Sequence, residues 1–189
     1  MKRSGIISII ITCVILAVVI GGFAFYLGHR SRTGGEEAVE STVVQKVLQK
    51  DLARNYPPTP KEVVKYFAEI TKCFYNEEYS EDELEKLAVQ IQGLYDEELI
   101  ANKSQEEYLQ DLRAEIASMK ESKSTIHSYE VSASTDVVYF TEKDASCARL
   151  YCNFYVKQGA GNVPSLEQFI LRQDAEGHWK ILGWDLVEE

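Results

Sequence analysis

Cys147-Ala148-Arg149-Leu150-Tyr151-Cys152-Asn153-Phe154-Tyr155-Val156-Lys157 alternates along its whole length. Ala148, Leu150, Cys152, Phe154 and Val156 share one face; Arg149, Tyr151, Asn153, Tyr155 and Lys157 share the other. Successive strand side chains point to opposite sides of a sheet, so this stretch predicts a half-buried antiparallel strand with one face on a core. Enrichment in Val, Tyr, Phe and Trp between turn signals extends the strand reading to residues 125–132, 136–141, 166–173 and 178–187. Asp174-Ala175-Glu176-Gly177 joins the last two, with Gly177 suited to a positive φ after a type I turn, and Gly159-Ala160-Gly161-Asn162 marks the preceding loop. Phe169, Ile170 and Leu171 are consecutive, and the final strand places Ile181 and Val187 on one face but Leu182, Trp184 and Leu186 on the other. Apolar groups on both faces imply that both are covered, one by helices and the other by a second subunit or by a loop.

Upstream of Ser122 the period is helical. Thr59-Pro60-Lys61-Glu62 is a helix start with Thr59 as N-cap, and Val63, Phe67, Ile70 and Phe74 then follow one face. Ser80-Glu81-Asp82-Glu83 leads into Leu84, Leu87, Ala88 and Ile91, and Ser104-Gln105-Glu106-Glu107 into Leu109, Leu112, Ile116 and Met119. Leu94-Tyr95-Asp96-Glu97-Glu98-Leu99 fits a short helix between them. The chain therefore reads as an α+β domain over residues 59–189, three helices packed on a curved antiparallel sheet of four to five strands. Tyr56-Pro57-Pro58 is a stiff break before it. Residues 33–58 read as a juxtamembrane stalk helix with a Pro linker, opened by a capping box at Thr33 and carrying a thin stripe through Val39, Val43 or Val44, Val47 or Leu48, and Leu52.

Residues 1–32 differ in kind. No Asp, Glu, Lys, Arg or His occurs from Ser4 to Gly28, and residues 6–27 are almost wholly aliphatic or aromatic. As a helix they span roughly 33 Å, against about 30 Å of hydrocarbon core. They predict a single-pass membrane helix. A cleaved signal peptide is the rival, but its apolar region would run only about 7–15 residues. Lys2 and Arg3 face Arg30 and Arg32 across the segment, so the positive-inside rule nearly ties. The layout of a very short basic N-terminus followed by one span favours a cell-membrane protein whose C-terminal domain is extracytoplasmic. The net charge of -10 understates that domain: all 30 acidic residues follow Thr33, with only 16 of the 20 basic ones, giving 16 − 30 = -14. That balance excludes nucleic acid as the main partner, since phosphate affinity needs clustered Lys and Arg.

Sites are sparse. The acidic run of Glu77, Glu78, Glu81, Asp82, Glu83 and Glu85, with Asp96 to Glu98 behind it, lacks the alternating calcium-loop pattern and reads as solvated helix starts. His29, His127 and His178 are far apart and lack partners at ligand spacing, so neither metal nor other cofactor is called for. Cys73, Cys147 and Cys152 read as buried free thiols, with a Cys73–Cys152 bridge as the lesser alternative. No GxSxG, Walker or GxGxxG motif occurs.

The Thr59–Phe67 helix start, the Phe169-Ile170-Leu171-Arg172 strand and the His178-Trp179-Lys180-Ile181-Leu182-Gly183-Trp184 terminus resemble the cone-shaped NTF2-like (SnoaL-like) α+β fold. The whole chain also resembles a family of uncharacterised single-span proteins of clostridial (Lachnospiraceae-type) bacteria. That resemblance rests on Asp51-Leu52, Asn55-Tyr56-Pro57, Tyr75-Asn76-Glu77, Leu94–Leu99 and the Trp179–Trp184 terminus. It implies no activity, and the fold hosts both enzymes and binders. Enzymatic members carry an Asp or His–Asp pair in the cone; here His127, Asp136 or Asp185 would have to serve, and none matches a catalytic position. Tyr66, Tyr139, Tyr151, Tyr155 and Trp184 are the pocket or interface candidates. The expected function is a non-catalytic binding or assembly module at the cell envelope, with partners there. The alternative is a small-molecule binder or an isomerase- or dehydratase-type enzyme using the cone.

Overall fold

The computed structural model describes residues 41–159 and 161–187. Helices come first: α1 (Val43–Leu48), α2 (Pro60–Asn76), α3 (Glu81–Gln92), α4 (Glu97–Ile100) and α5 (Gln105–Glu121). The strands follow: β1 (Thr125–Val131), β2 (Val138–Glu142), β3 (Ala145–Gln158), β4 (Gly161–Gln173) and β5 (Trp179–Leu186). The chain is thus an α+β protein with five helices and an open five-stranded antiparallel sheet among the described residues. No helix there is long and apolar enough to cross a membrane. The expected span at residues 6–27, and the helix start expected at Thr33, lie outside the described residues.

The predicted helix starts are capped as their sequences require. Thr59 Oγ1 accepts the Glu62 amide at 3.2 Å with Pro60 opening α2, while Ser80/Glu83 and Ser104/Glu107 close reciprocal capping boxes on α3 and α5. α1 is a short element with its own capping box, Thr42 with Gln45, and its Val44 is only 1% exposed. Residues from Ser41 onward therefore pack as one compact unit, into which this part of the expected stalk is absorbed.

The strand order is β1-β3-β4-β5, with β2 paired to β3 beyond the end of β1. β3 and β4 form a long hairpin, from Cys147 opposite Arg172 to Gln158 opposite Gly161. The loop expected at residues 159–162 shrinks to a tight turn carried by Gly159 at φ 58°, so β4 starts earlier than its apolar pattern suggests. Pro164 is tolerated within it because β5 pairs only with Glu167–Gln173, leaving Pro164 on a free edge. Gly177 takes φ 84° in the last hairpin, as expected.

β5 corrects the face assignment made from alternation alone. A bulge between Ile170 and Leu171 sets Ile170 opposite Gly183 but Leu171 opposite Ile181, so Leu182 is an extra residue. Phe169 and Leu171 share the core face, and their partners Trp184 and Ile181 therefore share it too. One inserted residue reverses the parity, and Trp184 turns inward.

The helices cover that face through Val63, Val64, Phe67 and Ile70 of α2 and Leu84, Leu87 and Ile91 of α3, packed on Leu150, Phe169, Leu171 and Ile181. The helical layer is also stitched to the sheet edge. The Asp96 amide donates to Ile181 O and the Ile181 amide to Leu94 O, both at 2.8 Å, adding a one-residue parallel strand beside β5. Asp96, expected in a solvated acidic run, is 5% exposed. It caps α4 through the Glu98 amide and takes two hydrogen bonds from Arg172, Nε to Oδ2 at 2.9 Å and Nη2 to Oδ1 at 2.5 Å. These carboxylates, Asp96 foremost and then Glu98, raise the Arg172 guanidinium pKa still further.

Asp96→Ala removes the α4 cap and a buried carboxylate, while Arg172, 28% exposed, keeps Glu98. It is expected to lower unfolding free energy by about 2 kcal/mol. Arg113→Ala, which removes exposed pairs to Glu81 and Glu85, should cost about 1 kcal/mol at most. Chemical denaturation of both variants measures the contrast, and equal losses would refute the special role of Asp96.

Candidate functional site

Between the helices and the core face of the sheet lies a cavity of about 520 Å³. Its size is that of a small-molecule site. α2 contributes Phe67 and Tyr75, the α3–α4 connection Tyr95, α5 Tyr108 and Glu115, β4 Glu167 and β5 Trp184. The floor is aromatic: Trp184 lies 5.0 Å from Phe67, 5.7 Å from Tyr95 and 6.0 Å from Phe169 between ring centroids. Tyr95 meets Tyr108 edge-on at 6.4 Å.

Three carboxyls line this space; Asp111 is taken up by Lys103, which leaves Glu167 and Glu115. Glu167 alternates in phase with Phe169 and Leu171, opposite Cys152 on β3 and Leu186 on β5, and so faces inward. Burial, and secondarily the charge of Glu115, push its pKa from an ordinary 4.5 to about 7. No hydrogen bond among the described residues holds its carboxyl. Glu115, nearer solvent, accepts a hydrogen bond from Tyr75 Oη at 2.5 Å. Burial first, and this bond second, drive the Tyr75 hydroxyl well above its usual range. Tyr95 and Tyr108 are raised as well, both chiefly by burial. All three phenols are neutral hydrogen-bonding groups at physiological pH. The cation lining the cavity, Lys103, is held by Asp111 at 2.6 Å. Among the described residues, no three His, Cys, Asp or Glu side chains come together to hold a metal ion.

Of the sequence candidates, only Trp184 lines this cavity. Tyr66 is 2% exposed, donates to Val47 O at 2.9 Å and accepts from Gln90 at 2.8 Å, tying α1 to α2 and α3. Its ring lies under Lys50 Nζ at 3.7 Å, beside a separate shallow depression. Tyr139 is exposed near Trp179, and Tyr151 and Tyr155 lie on the outer sheet face, opposite in parity to Leu150 and Phe154. His127, Asp136 and Asp185 are all exposed and none lines the cavity. Sequence reasoning missed Glu167, Glu115, Tyr75, Tyr95 and Tyr108. A signal for Glu167 did exist, as an acid in register with Phe169 and Leu171.

Cys73, Cys147 and Cys152 are buried and free, as expected, so the lesser reading of a Cys73–Cys152 bridge is not realised. Burial raises Cys73 to about 11 and Cys152 to about 12. Thiolates form too rarely in such groups for nucleophilic chemistry.

Fold and site together define an α+β domain with an aromatic, carboxyl-bearing cavity. Over residues 1–184 the chain matches the family described as "Domain of unknown function (DUF6715)", and it belongs to that family. No curated protein matches the chain.

The Glu167 carboxyl also has a pH signature. Its folded pKa lies above its unfolded one, so its contribution to stability is complete below about pH 4.5 and lost as pH rises through about 7. Glu167→Gln should remove that loss and be more stable than the wild type at pH 8, relative to pH 5, by about 1–2 kcal/mol. Thermal melts of both proteins from pH 5 to 8 check this. Parallel pH profiles would show that Glu167 titrates normally.

Proposed function

We propose that the chain is a membrane-anchored protein whose compact domain binds a small amphipathic molecule in the cavity without transforming it. The observation that carries this reading is the cavity itself: a ligand-sized space with an aromatic floor and a few converging polar groups. We assign the domain to the NTF2-like class, on the order of helices before sheet and the placement of the cavity between the two layers. Anchoring rests on the uncharged apolar run at residues 6–27, and the orientation we favour puts the domain outside the cell. The outer sheet face, with Tyr151 and Leu166 exposed at 36% and 38%, is where a second copy or an envelope protein would sit.

A catalytic reading has one observation in its favour. A carboxyl brought to about 7 is suited to proton transfer near neutrality. Against it stands the absence, among the described residues, of any group that fixes the Glu167 carboxyl against a substrate. In activated sites the base is commonly oriented by a further group.

Calorimetry with 4-phenylbutanol, a neutral probe small enough for the cavity, tests the reading on full-length protein in phosphatidylcholine nanodiscs. Saturable binding is expected, weakened at least about tenfold by Thr71→Phe, which fills the space from α2. Binding that is absent, or indifferent to Thr71→Phe, would overturn it. For topology, external protease on intact cells is expected to remove residues 41–187, and a protected domain would reverse the orientation.

A further inference from the structure

We propose that the natural ligand of this cavity is an organic cation, an ammonium group on an apolar body, seated with its charge between Glu167 and Glu115 and its body on the Trp184 floor. The inference rests on the cavity-binding reading above and adds the chemical class of the ligand.

The argument starts from the charges. Glu167 and Glu115 both line the cavity, and neither has a salt-bridge partner among the described residues. The neighbouring cations are already engaged: Lys103 with Asp111 at 2.6 Å, and Arg172 with Asp96 and Glu98 on the far side of the α3–α4 connection. An inward-facing carboxyl among aromatic rings is costly unless something compensates it, and here no side chain does. A bound cation would supply that missing charge.

The rest of the lining narrows the choice. A bare metal ion needs more ligands than are present, since no trio of metal-binding side chains occurs among the described residues. Anions and phosphate groups would face two carboxylates with no free basic side chain. A neutral apolar ligand would leave the Glu167 carboxyl desolvated and without a partner. An alkyl- or arylammonium meets each demand: the ammonium pairs with the carboxylates and accepts aromatic faces as neighbours, while its body buries against Phe67, Trp184 and Tyr95. Tyr75, by donating to Glu115, fixes one carboxylate at the mouth. The charge of -14 carried after Thr33 also draws cations toward the domain from a distance.

The test compares three probes of one length, 4-phenylbutylamine, 4-phenylbutanol and 4-phenylbutyrate, by calorimetry on the full chain in phosphatidylcholine nanodiscs at pH 8. The amine is expected to bind at least about tenfold tighter than the alcohol, and the butyrate more weakly than either. Glu167→Gln should remove the preference of the amine over the alcohol, and Glu115→Gln should reduce it in part. An amine that binds no tighter than the alcohol, or a preference that survives both substitutions, overturns the cation inference and leaves the cavity reading intact. Failure of all three probes to bind overturns both.

Discussion

The single-residue parallel pairing of Leu94–Asp96 with Ile181 carries more of this architecture than its size suggests. Helices and sheet in an α+β domain are held mainly by apolar contact, which is strong but tolerant of sliding. Here two backbone hydrogen bonds of 2.8 Å fix the register between the layers at the β5 edge. The Asp96–Arg172 pair locks that junction from β4, and Lys180 adds a bond of 2.8 Å to Gly93 O. Because Tyr95 sits between Leu94 and Asp96, the clamp also sets where its ring meets Trp184 and Tyr108. The place of Tyr95 in the cavity is therefore a consequence of the layer junction.

The cavity makes a second demand on the sheet. β4 must place three apolar or acidic side chains in one register, Glu167, Phe169 and Leu171, while its other edge accepts the bulge that swings Trp184 inward. Without that extra residue Trp184 would point away from the helices and the aromatic floor would be lost. The same strand is free of β5 at Pro164, where the sheet continues as β1, β3 and β4 alone.

Much of the fold was legible because it depends on local signals. Alternation across Cys147–Lys157, capping residues at Thr59, Ser80 and Ser104, and Gly177 in the last turn each fix a local conformation that tertiary packing then preserves. What could not be read depends on contacts distant in sequence. Asp96 looks like one more solvated acid until Arg172, 76 positions away, is placed beside it. Trp184, a pocket or interface candidate, lines the cavity, but alternation gave it the wrong face, since a bulge is a property of two strands and leaves no mark in one. Tyr66 has every attribute of a site tyrosine in sequence, yet its hydroxyl is consumed by Val47 O and Gln90. Glu167 was legible from parity alone, as an acid in phase with Phe169 and Leu171.

Glu167 decides how the cavity is best understood. A structural role does not account for it: among the described residues it caps no helix and forms no ion pair, and burial pushes its charge out of favour. An apolar residue there would pack against Cys152 and Leu186 at no electrostatic cost, so retaining a carboxyl lowers the stability of the empty domain above neutral pH. Such a residue makes physical sense when the compensating group arrives from outside. Occupancy would then supply the stability that the empty site lacks, and the domain would be most rigid when loaded. Under the cation proposal, ligand binding and domain stability therefore report on one another, and both pass through the Glu167 carboxyl.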